Sequence, residues 1–267
     1  MFVNGARFAA ARPTDSTRDR ILALAAIALI TLLAWLYVLR SARGDMPGML
    51  AMDHAGMTMT VMQPWRPHDT FLALLMWATM MVAMMTPSAT PFVLTYVRFQ
   101  RPPGVHAKAF ALLTGYLAVW GAFSVGATLL QATLHTAGLL APAADRVTPL
   151  LGGALFLVAG IWQFTPLKHA CLTRCRSPMD FLVTHWRDGP AGALSLGLRH
   201  GLWCVGCCWA LMLVLFAAGV MNVLWVAALA GWVLLEKTLP ASRAPAYLGG
   251  TLATAFGLWL IGVTLLR

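Results

Sequence analysis

The sequence predicts an all-α protein, a polytopic transmembrane helical bundle of about seven spans with its N-terminus inside and its C-terminus outside. Hydrophobic residues make up 60% of the 267 residues and charged residues only 10%, a balance typical of integral membrane proteins. Apolar runs recur that are long enough to cross a hydrocarbon core, which takes roughly 20 helical residues. The Lys and Arg residues are distributed unevenly between alternate loops, and this bias predicts the orientation.

Seven apolar runs are the predicted spans. They cover residues 20–39, 69–97, 107–135, 147–166, 194–220, 221–239 and 247–266. The first run follows Arg18 and Arg20, but its apolar part is longer than the core of a secretory signal, about 7–15 residues, so we expect a retained helix. The sixth run is the least regular, because it follows the fifth almost directly and carries the glutamate Glu236.

The charge distribution indicates orientation and location. With the N-terminus inside, thirteen Lys and Arg residues fall in inner segments and five in outer segments, as the positive-inside rule requires. We therefore expect a multi-pass protein of the bacterial inner membrane. The net charge of +10 indicates attraction to anionic lipid in the bilayer, and nucleic acid is not an expected partner.

Motifs of the common enzyme classes are absent from the sequence. It contains no P-loop, no G-x-S-x-G, no H-E-x-x-H and no aspartyl-phosphate pump signature. A nucleotide is therefore not expected to bind, and an ATP-driven pump within this chain is excluded. Enzymatic activity is not the favoured prediction.

Three cysteines lie close together in the fifth span, within "GLWCVGCCWALM". Cys204, Cys207 and Cys208 are spaced i, i+3 and i+4, so a helix places their thiols on one face. A depth estimate puts Cys204 near the middle of the bilayer, about 15 Å from the membrane surface. Thiolates favour soft ions, with Cu(I) first and Zn(II) as a second candidate. Simple packing of small apolar side chains is the alternative.

Methionines are clustered in two neighbouring segments. The outer loop reads "MPGMLAMDHAGMTMTVM", in which thioethers and one imidazole make a candidate site for copper. An amphipathic segment on the membrane surface is the alternative. The second span carries a further stripe that could meet the thiols at the same depth, although Met also fills gaps in cores. The candidate ligands in the loop are Met46, Met49, Met52, His54, Met57 and Met59, and those in the span are Met80, Met81, Met84 and Met85.

Two charged residues of the fifth and sixth spans lie near the inner face. Estimated depths match for Arg199 and Glu236, which predicts an ion pair between these neighbouring spans, because unpaired charges inside a membrane are costly. Local pairing of Glu236 with Lys237 is the alternative.

The inner loop and the start of the fifth span carry further candidate ligands. The loop "PLKHACLTRCRSP" contains His169, Cys171 and Cys175, whose H-x-C-x-x-x-C spacing is a weak metal-binding pattern. Surface thiols without a role are the alternative. His200, one turn before Cys204, could complete the site in the fifth span.

Small residues and prolines predict local helix geometry. The segments "GAFSVGA" and "LGGALFLVAG" are typical of close helix contacts in lipid. Pro87 and Pro91 predict a kink, an unwound segment or the end of the second span. Together these features divide the chain into a cytoplasmic tail over 1–19, a first transmembrane helix over 20–39, a Met/His-rich outer loop over 40–68 and a six-helix metal-binding membrane domain over 69–267.

The ordered set of motifs resembles a bacterial family of predicted metal-binding integral membrane proteins, some members of which are labelled copper chaperones. The motifs are "WATMMVAMMTPSATPF", "GIWQFTPLKHACLTRCRSP", "GLRHGLWCVGCCWALM" with "GVMNVLW", and "LLEKTLP". The resemblance covers about residues 69–240 and implies a multi-pass protein that binds a metal. The family pattern matches at Trp77, Met81, Met84, Met85, Pro87, Lys168, Cys171, Cys175, Cys204, Cys207, Cys208, Trp209, Met221, Asn222, Glu236 and Lys237.

The sequence therefore predicts a copper chaperone, or a copper delivery or transport factor, that uses Met and Cys ligands. Its expected partners are the lipid bilayer and a copper-acceptor protein or membrane complex. Two alternatives stay open at this point. One is a membrane thiol-disulfide redox enzyme that acts through Cys204, Cys207 and Cys208, and the other is a structural assembly subunit of a membrane complex.

Overall fold

A computed structural model describes residues 16–43, 65–100, 103–141, 146–239 and 242–266. These residues are almost entirely helical, with one short hairpin, which confirms the predicted class. In chain order the elements are α1 (Ser16–Ala42), α2 (Pro67–Phe99), α3 (Val105–Thr136), β1 (Leu140–Ala141), β2 (Arg146–Val147), α4 (Pro149–Phe164), α5 (Pro166–Arg176), α6 (Pro178–His185), α7 (Gly189–Ala218), α8 (Val223–Thr238) and α9 (Ala244–Leu265).

Within the described ranges five helices, namely α1, α2, α3, α7 and α9, are long and apolar enough to cross a membrane. Helices α4 and α5 make a sixth candidate when taken as one broken span, bent by 67°. The predicted sixth span corresponds to α8, which has 16 residues and is shorter than the roughly 20 residues that a full crossing takes. The count of seven spans and the N-in orientation therefore stay predictions.

Helix α2 does not end at its prolines, contrary to one of the predicted outcomes. It continues through Pro87 and Pro91 to Phe99, although each proline removes one backbone donor. Hydroxyl side chains bond to carbonyls in the same stretch, including Thr86 to Val82 O at 2.6 Å and Ser88 to Met85 O at 2.9 Å. Both prolines therefore lie inside the helix, Pro87 half-buried and Pro91 exposed.

The inner loop predicted between the fourth and fifth spans contains two helices. Thr165 caps α5, its hydroxyl accepting from Lys168 N at 3.2 Å, and Pro166 occupies the first turn. A capping Thr followed directly by Pro is a common helix start. Helix α5 packs against α7, and this contact brings the loop cysteines onto the bundle.

Glycines set the closest helix contacts in the bundle. Gly153 and Gly160 of "LGGALFLVAG" face α9, where an added Cβ would lie 3.0 Å from Gly257 O and 2.9 Å from Gly250 O respectively. The predicted contact for this segment is confirmed. In "GAFSVGA" the two glycines make no such contact, because an added Cβ on Gly121 or Gly126 would have no atom within 4 Å, whereas Ser124 and Ala127 of this segment are buried.

The tightest crossing joins α3 and α7, where an added Cβ on Gly197 would overlap the carbonyl oxygen of Leu112. We expect Gly197→Ala to force these two helices apart and to lower the free energy of unfolding by about 1–3 kcal/mol. Thermal unfolding in detergent measures the effect. Gly121→Ala on α3 is the matched control, since it adds the same methyl to open space, and equal destabilisation by the two variants would contradict this packing.

Candidate metal site

The three clustered cysteines of α7 lie on one buried face near the middle of that helix. Cys204, Cys207 and Cys208 have exposed fractions of 0%, 1% and 0%. The thiols of Cys207 and Cys208 both donate to the carbonyl oxygen of Cys204, at 3.1 and 3.0 Å. Back-bonding of this kind holds the two side chains against their own helix. All three thiols are free in this structure.

Side chains from two other helices contact the Cys204 thiol. The ammonium of Lys237 on α8 donates to Cys204 Sγ at 2.9 Å and to Ser88 Oγ on α2 at 2.9 Å. The hydroxyl of Tyr116 on α3 lies 3.1 Å from Cys204 Sγ and 3.1 Å from Met85 O, to which it donates. Four helices therefore meet around this sulfur atom.

Two aromatic contacts fix the register between α2 and α7, which run antiparallel. The ring of Trp77 lies 5.0 Å from that of Phe216, and the ring of Phe92 stacks on His200 at 3.9 Å. Met85 lies seven residues before Phe92, and Cys207 lies seven residues after His200. Because the two helices are antiparallel, Met85 and Cys207 lie at the same height.

The methionines of α2 are buried in the same core as the thiols. Met80, Met81, Met84 and Met85 are at most 1% exposed. The helix register puts Met84 and Met85 level with Cys208 and Cys207. Met80, which the depth estimate placed level with the cysteines, lies about one turn, roughly 6 Å, nearer to the start of α2.

The cysteines of α5 join the same cluster. The thiol of Cys175 contacts the thiol of Cys207. The sulfur of Cys171 lies against Gly206, where an added Cβ would come 2.8 Å from it. Cys171 and Cys175 are 5% and 8% exposed. The structure thus brings the cysteine pair of the predicted inner loop together with the cysteines of the fifth span.

The predicted ion pair between Arg199 and Glu236 is wrong. The carboxylate of Glu236 accepts from Lys168 Nζ on α5 at 2.7 and 2.8 Å, and both side chains are buried. Trp232 Nε1 also donates to this carboxylate, at 3.2 Å. Arg199 lies on an exposed face of α7. Matching depths do not determine which way two side chains point around their helices, and this caused the error.

The two candidate histidines take different positions. His200 is buried among aromatic rings and stacks on Phe92, and its Nδ1 has no hydrogen-bond partner among the described residues. The ring of His169 lies 5.5 Å from that of Tyr247 on α9, whereas Cys171 and Cys175 face α7. The structure therefore does not gather the H-x-C-x-x-x-C pattern at one point.

The donor atoms of the cluster are suited to a soft metal ion that is held by few ligands. Within the described ranges no group of three or more His, Cys, Asp or Glu side chains is placed to hold a metal ion. The buried donors are thiols and thioethers, the ligands that select Cu(I). The candidate loop ligands Met46, Met49, Met52, His54, Met57 and Met59 lie outside the described residues.

Sequence reasoning missed Tyr116, Ser88 and the role of Lys237. Sequence analysis named Lys237 as a position of the family pattern, but the only role that it offered was local pairing with Glu236. Adjacent residues on a helix point about 100° apart, so Glu236 and Lys237 reach different neighbours, Lys168 and Cys204. Two opposite charges side by side in an apolar segment are a signal that each has its own partner.

Comparison with known proteins identifies a family. The model of the family described as copper chaperone, PpoB2, matches residues 74–260, a range that includes every helix of the cysteine cluster. Neither the curated proteins nor the solved structures contain a significant match.

Proposed function

The chain belongs to the copper chaperone family, and from that premise we propose that it binds Cu(I) within the membrane and hands it to an acceptor. Copper is the cargo, and the proposed site is the cysteine face of α7, with Met84 and Met85 of α2 at the same height. The observation that carries the proposal is the buried face of Cys204, Cys207 and Cys208, level with Met84 and Met85 and contacted by the Lys237 ammonium.

The ligand types favour copper over zinc. Structural Zn(II) takes thiolate, imidazole or carboxylate ligands, usually four of them. Thioethers and thiolates together are typical of Cu(I), which binds with fewer ligands. The described part of the chain offers thiols backed by thioethers, and it lacks a gathered set of three His, Cys, Asp or Glu donors. Zn(II) stays the second candidate.

Charge balance supports a monovalent cargo. A thiol binds metal as a thiolate, so Cu(I) held by two thiolates carries one net negative charge. Uncompensated charge is costly away from water. The Lys237 ammonium, 2.9 Å from Cys204 Sγ, supplies one positive charge. Lys168, which is fully buried, is already paired with Glu236 at 2.7 Å.

The membrane setting gives the proposed direction of movement. Trp65, which follows the Met/His-rich loop, contacts His135 in the last turn of α3, whereas α5 packs on the middle of α7 beside Gly206. With the predicted N-in orientation, the loop residues would collect copper outside the inner membrane and pass it to the thiols. Delivery to a copper-acceptor protein or membrane complex, and transport across the bilayer, both use this path.

The copper content of anaerobically purified protein tests this function. We expect wild-type protein loaded with Cu(I) to retain copper after desalting, and a Cys204/Cys207/Cys208 triple serine variant to lose nearly all of it. Met76→Leu, on the same stripe of α2 but two turns from Met84, is the matched control and should retain copper. Equal copper in wild type and in correctly folded triple variants, whether serine or alanine, would contradict the proposal.

One observation favours a second candidate, a thiol-disulfide redox enzyme. Cys175 and Cys207 lie on different helices and their thiols are in contact, so this pair avoids the poor geometry of two thiols on one helix. Metal-free wild-type protein in which these two residues form a reversible disulfide would support redox function. Stoichiometric copper bound to reduced thiols would support the chaperone.

A further inference from the structure

Cys207 belongs to two sets of thiols at once. On its own helix it lies one turn from Cys204 and beside Cys208, and across the helix interface it contacts Cys175 of α5. Cys171 lies one turn before Cys175, on the same face of α5. The five cysteines therefore form a connected path rather than a single ring of ligands.

We propose that Cys171 and Cys175 form an exit site, to which Cys207 passes Cu(I) from the α7 thiols, and from which a thiolate-bearing acceptor removes it. This inference rests on the proposed function, since it concerns the same cargo. It gives α5 a specific task, the release of copper, and it identifies the acceptor by its chemistry as a soluble molecule with thiolate ligands.

The two cysteines of α5 have slightly larger exposed fractions than the three of α7. The α7 cysteines are at most 1% exposed, whereas Cys171 and Cys175 are 5% and 8% exposed. Helix α5 also turns away from α4 by 67°, and it packs on the middle of α7, where Cys171 lies against Gly206. All five thiols are buried, and the two on α5 are the less deeply buried ones, so an acceptor would reach them before the α7 thiols.

The close contact of α5 with α7 depends on Gly206. The Cys171 sulfur occupies the space that any side chain at position 206 would need, 2.8 Å from the position of an added Cβ. Two contacts hold α5 in place, the ion pair of Lys168 with Glu236 and the hydrogen bond from Arg176 Nε to Glu236 O at 2.6 Å. The pair of thiols is thus presented by a fixed helix.

The transfer step balances without an oxidant or a reductant. A bond forms between Cu(I) and Cys175 sulfur while the bond to an α7 sulfur, such as that of Cys208, breaks. The proton of the Cys175 thiol moves to the α7 thiolate that is released, and copper remains Cu(I). Exchange between equivalent thiolates has nearly equal bond energies on both sides, so a chain of contacting thiols allows movement in small steps.

Transfer kinetics test the exit site. Full-length protein loaded with Cu(I) in detergent is mixed with a Cys-x-x-Cys peptide, and copper arrival on the peptide is followed in time. Rates are expressed per copper bound to each variant, and we expect Cys171→Ser and Cys175→Ser each to slow transfer at least about tenfold. Thr173→Ala, on the exposed face of the same helix, is the matched control and should transfer at the wild-type rate.

A second variant keeps all five thiols and changes only their spacing. Gly206→Ala should push Cys171 from α7 and slow transfer, while Gly231→Ala, which adds a methyl to open space on α8, should not. Unchanged transfer rates in all the cysteine and Gly206 variants would overturn the exit site and leave copper binding intact. Wild-type protein that holds no copper would instead overturn the proposed function, and the exit site with it.

Discussion

Glu236→Gln is expected to lower the free energy of unfolding by about 3–5 kcal/mol, because it leaves the Lys168 ammonium buried without its counter-charge. Lys168 and Glu236 are 0% and 1% exposed and their charged atoms are 2.7 Å apart. The same change weakens the attachment of α5, since the pair joins α5 to α8. Thermal unfolding in detergent and the yield of monodisperse protein measure the loss.

Two further variants isolate the contribution of this ion pair to stability. Lys168→Met combined with Glu236→Leu removes both charges, and we expect it to recover most of the stability that Glu236→Gln loses. Arg199→Gln should change stability by less than about 0.5 kcal/mol, because Arg199 is exposed and surface substitutions are usually mild. An Arg199→Gln variant as unstable as Glu236→Gln would contradict the pairing with Lys168.

Lys237→Met is expected to weaken Cu(I) binding at least about tenfold, the effect typical of losing a group that supports a metal ligand. The ammonium lies 2.9 Å from Cys204 Sγ, where it offsets the negative charge of a copper-bound thiolate. Without it, protons compete better for the sulfur, so affinity should fall more steeply as the pH is lowered than it does in wild type. Competition with a Cu(I) chelator at several pH values measures both effects.

Two further variants separate the effect of the positive charge of Lys237 from the effect of its position. Lys237→Arg keeps the positive charge and should bind Cu(I) more tightly than Lys237→Met, while Lys108→Met removes a cation at the start of α3 and should bind like wild type. If Lys237→Met matches wild type in affinity and in pH dependence, the ammonium has no part in holding copper. If Lys237→Arg is as weak as Lys237→Met, its positive charge is not what matters.

The sequence was sufficient for features that depend on spacing along one helix. The i, i+3, i+4 pattern placed Cys204, Cys207 and Cys208 on a single face, and hydropathy located the helices that carry them. The buried stripe of α2 followed from periodicity in the same way. These features need only the geometry of a helix, which is the same wherever the helix packs.

Features that depend on how two helices face each other were not predictable in this way. Depth estimates alone paired Glu236 with Arg199 and placed Met80 level with the cysteines. In the structure Glu236 pairs with Lys168 of α5, and the register of α2 places Met84 and Met85 level with the cysteines instead. Helix α5 was expected to be a loop, so Cys175 was assigned to a separate inner pattern. The direction of a side chain around its helix axis is set by tertiary packing, and one sequence does not contain that information directly.

X-ray absorption at the copper edge tests the central claim, that the buried sulfur atoms hold the cargo. The sample is Cu(I)-loaded protein in which the candidate loop ligands are removed, His54 as alanine and Met46, Met49, Met52, Met57 and Met59 as leucine. We expect copper to be retained with a nearest shell of sulfur atoms only, at about 2.3 Å, a metal–thiolate distance. Loss of copper from this variant, or a shell of nitrogen and oxygen atoms, would contradict the account.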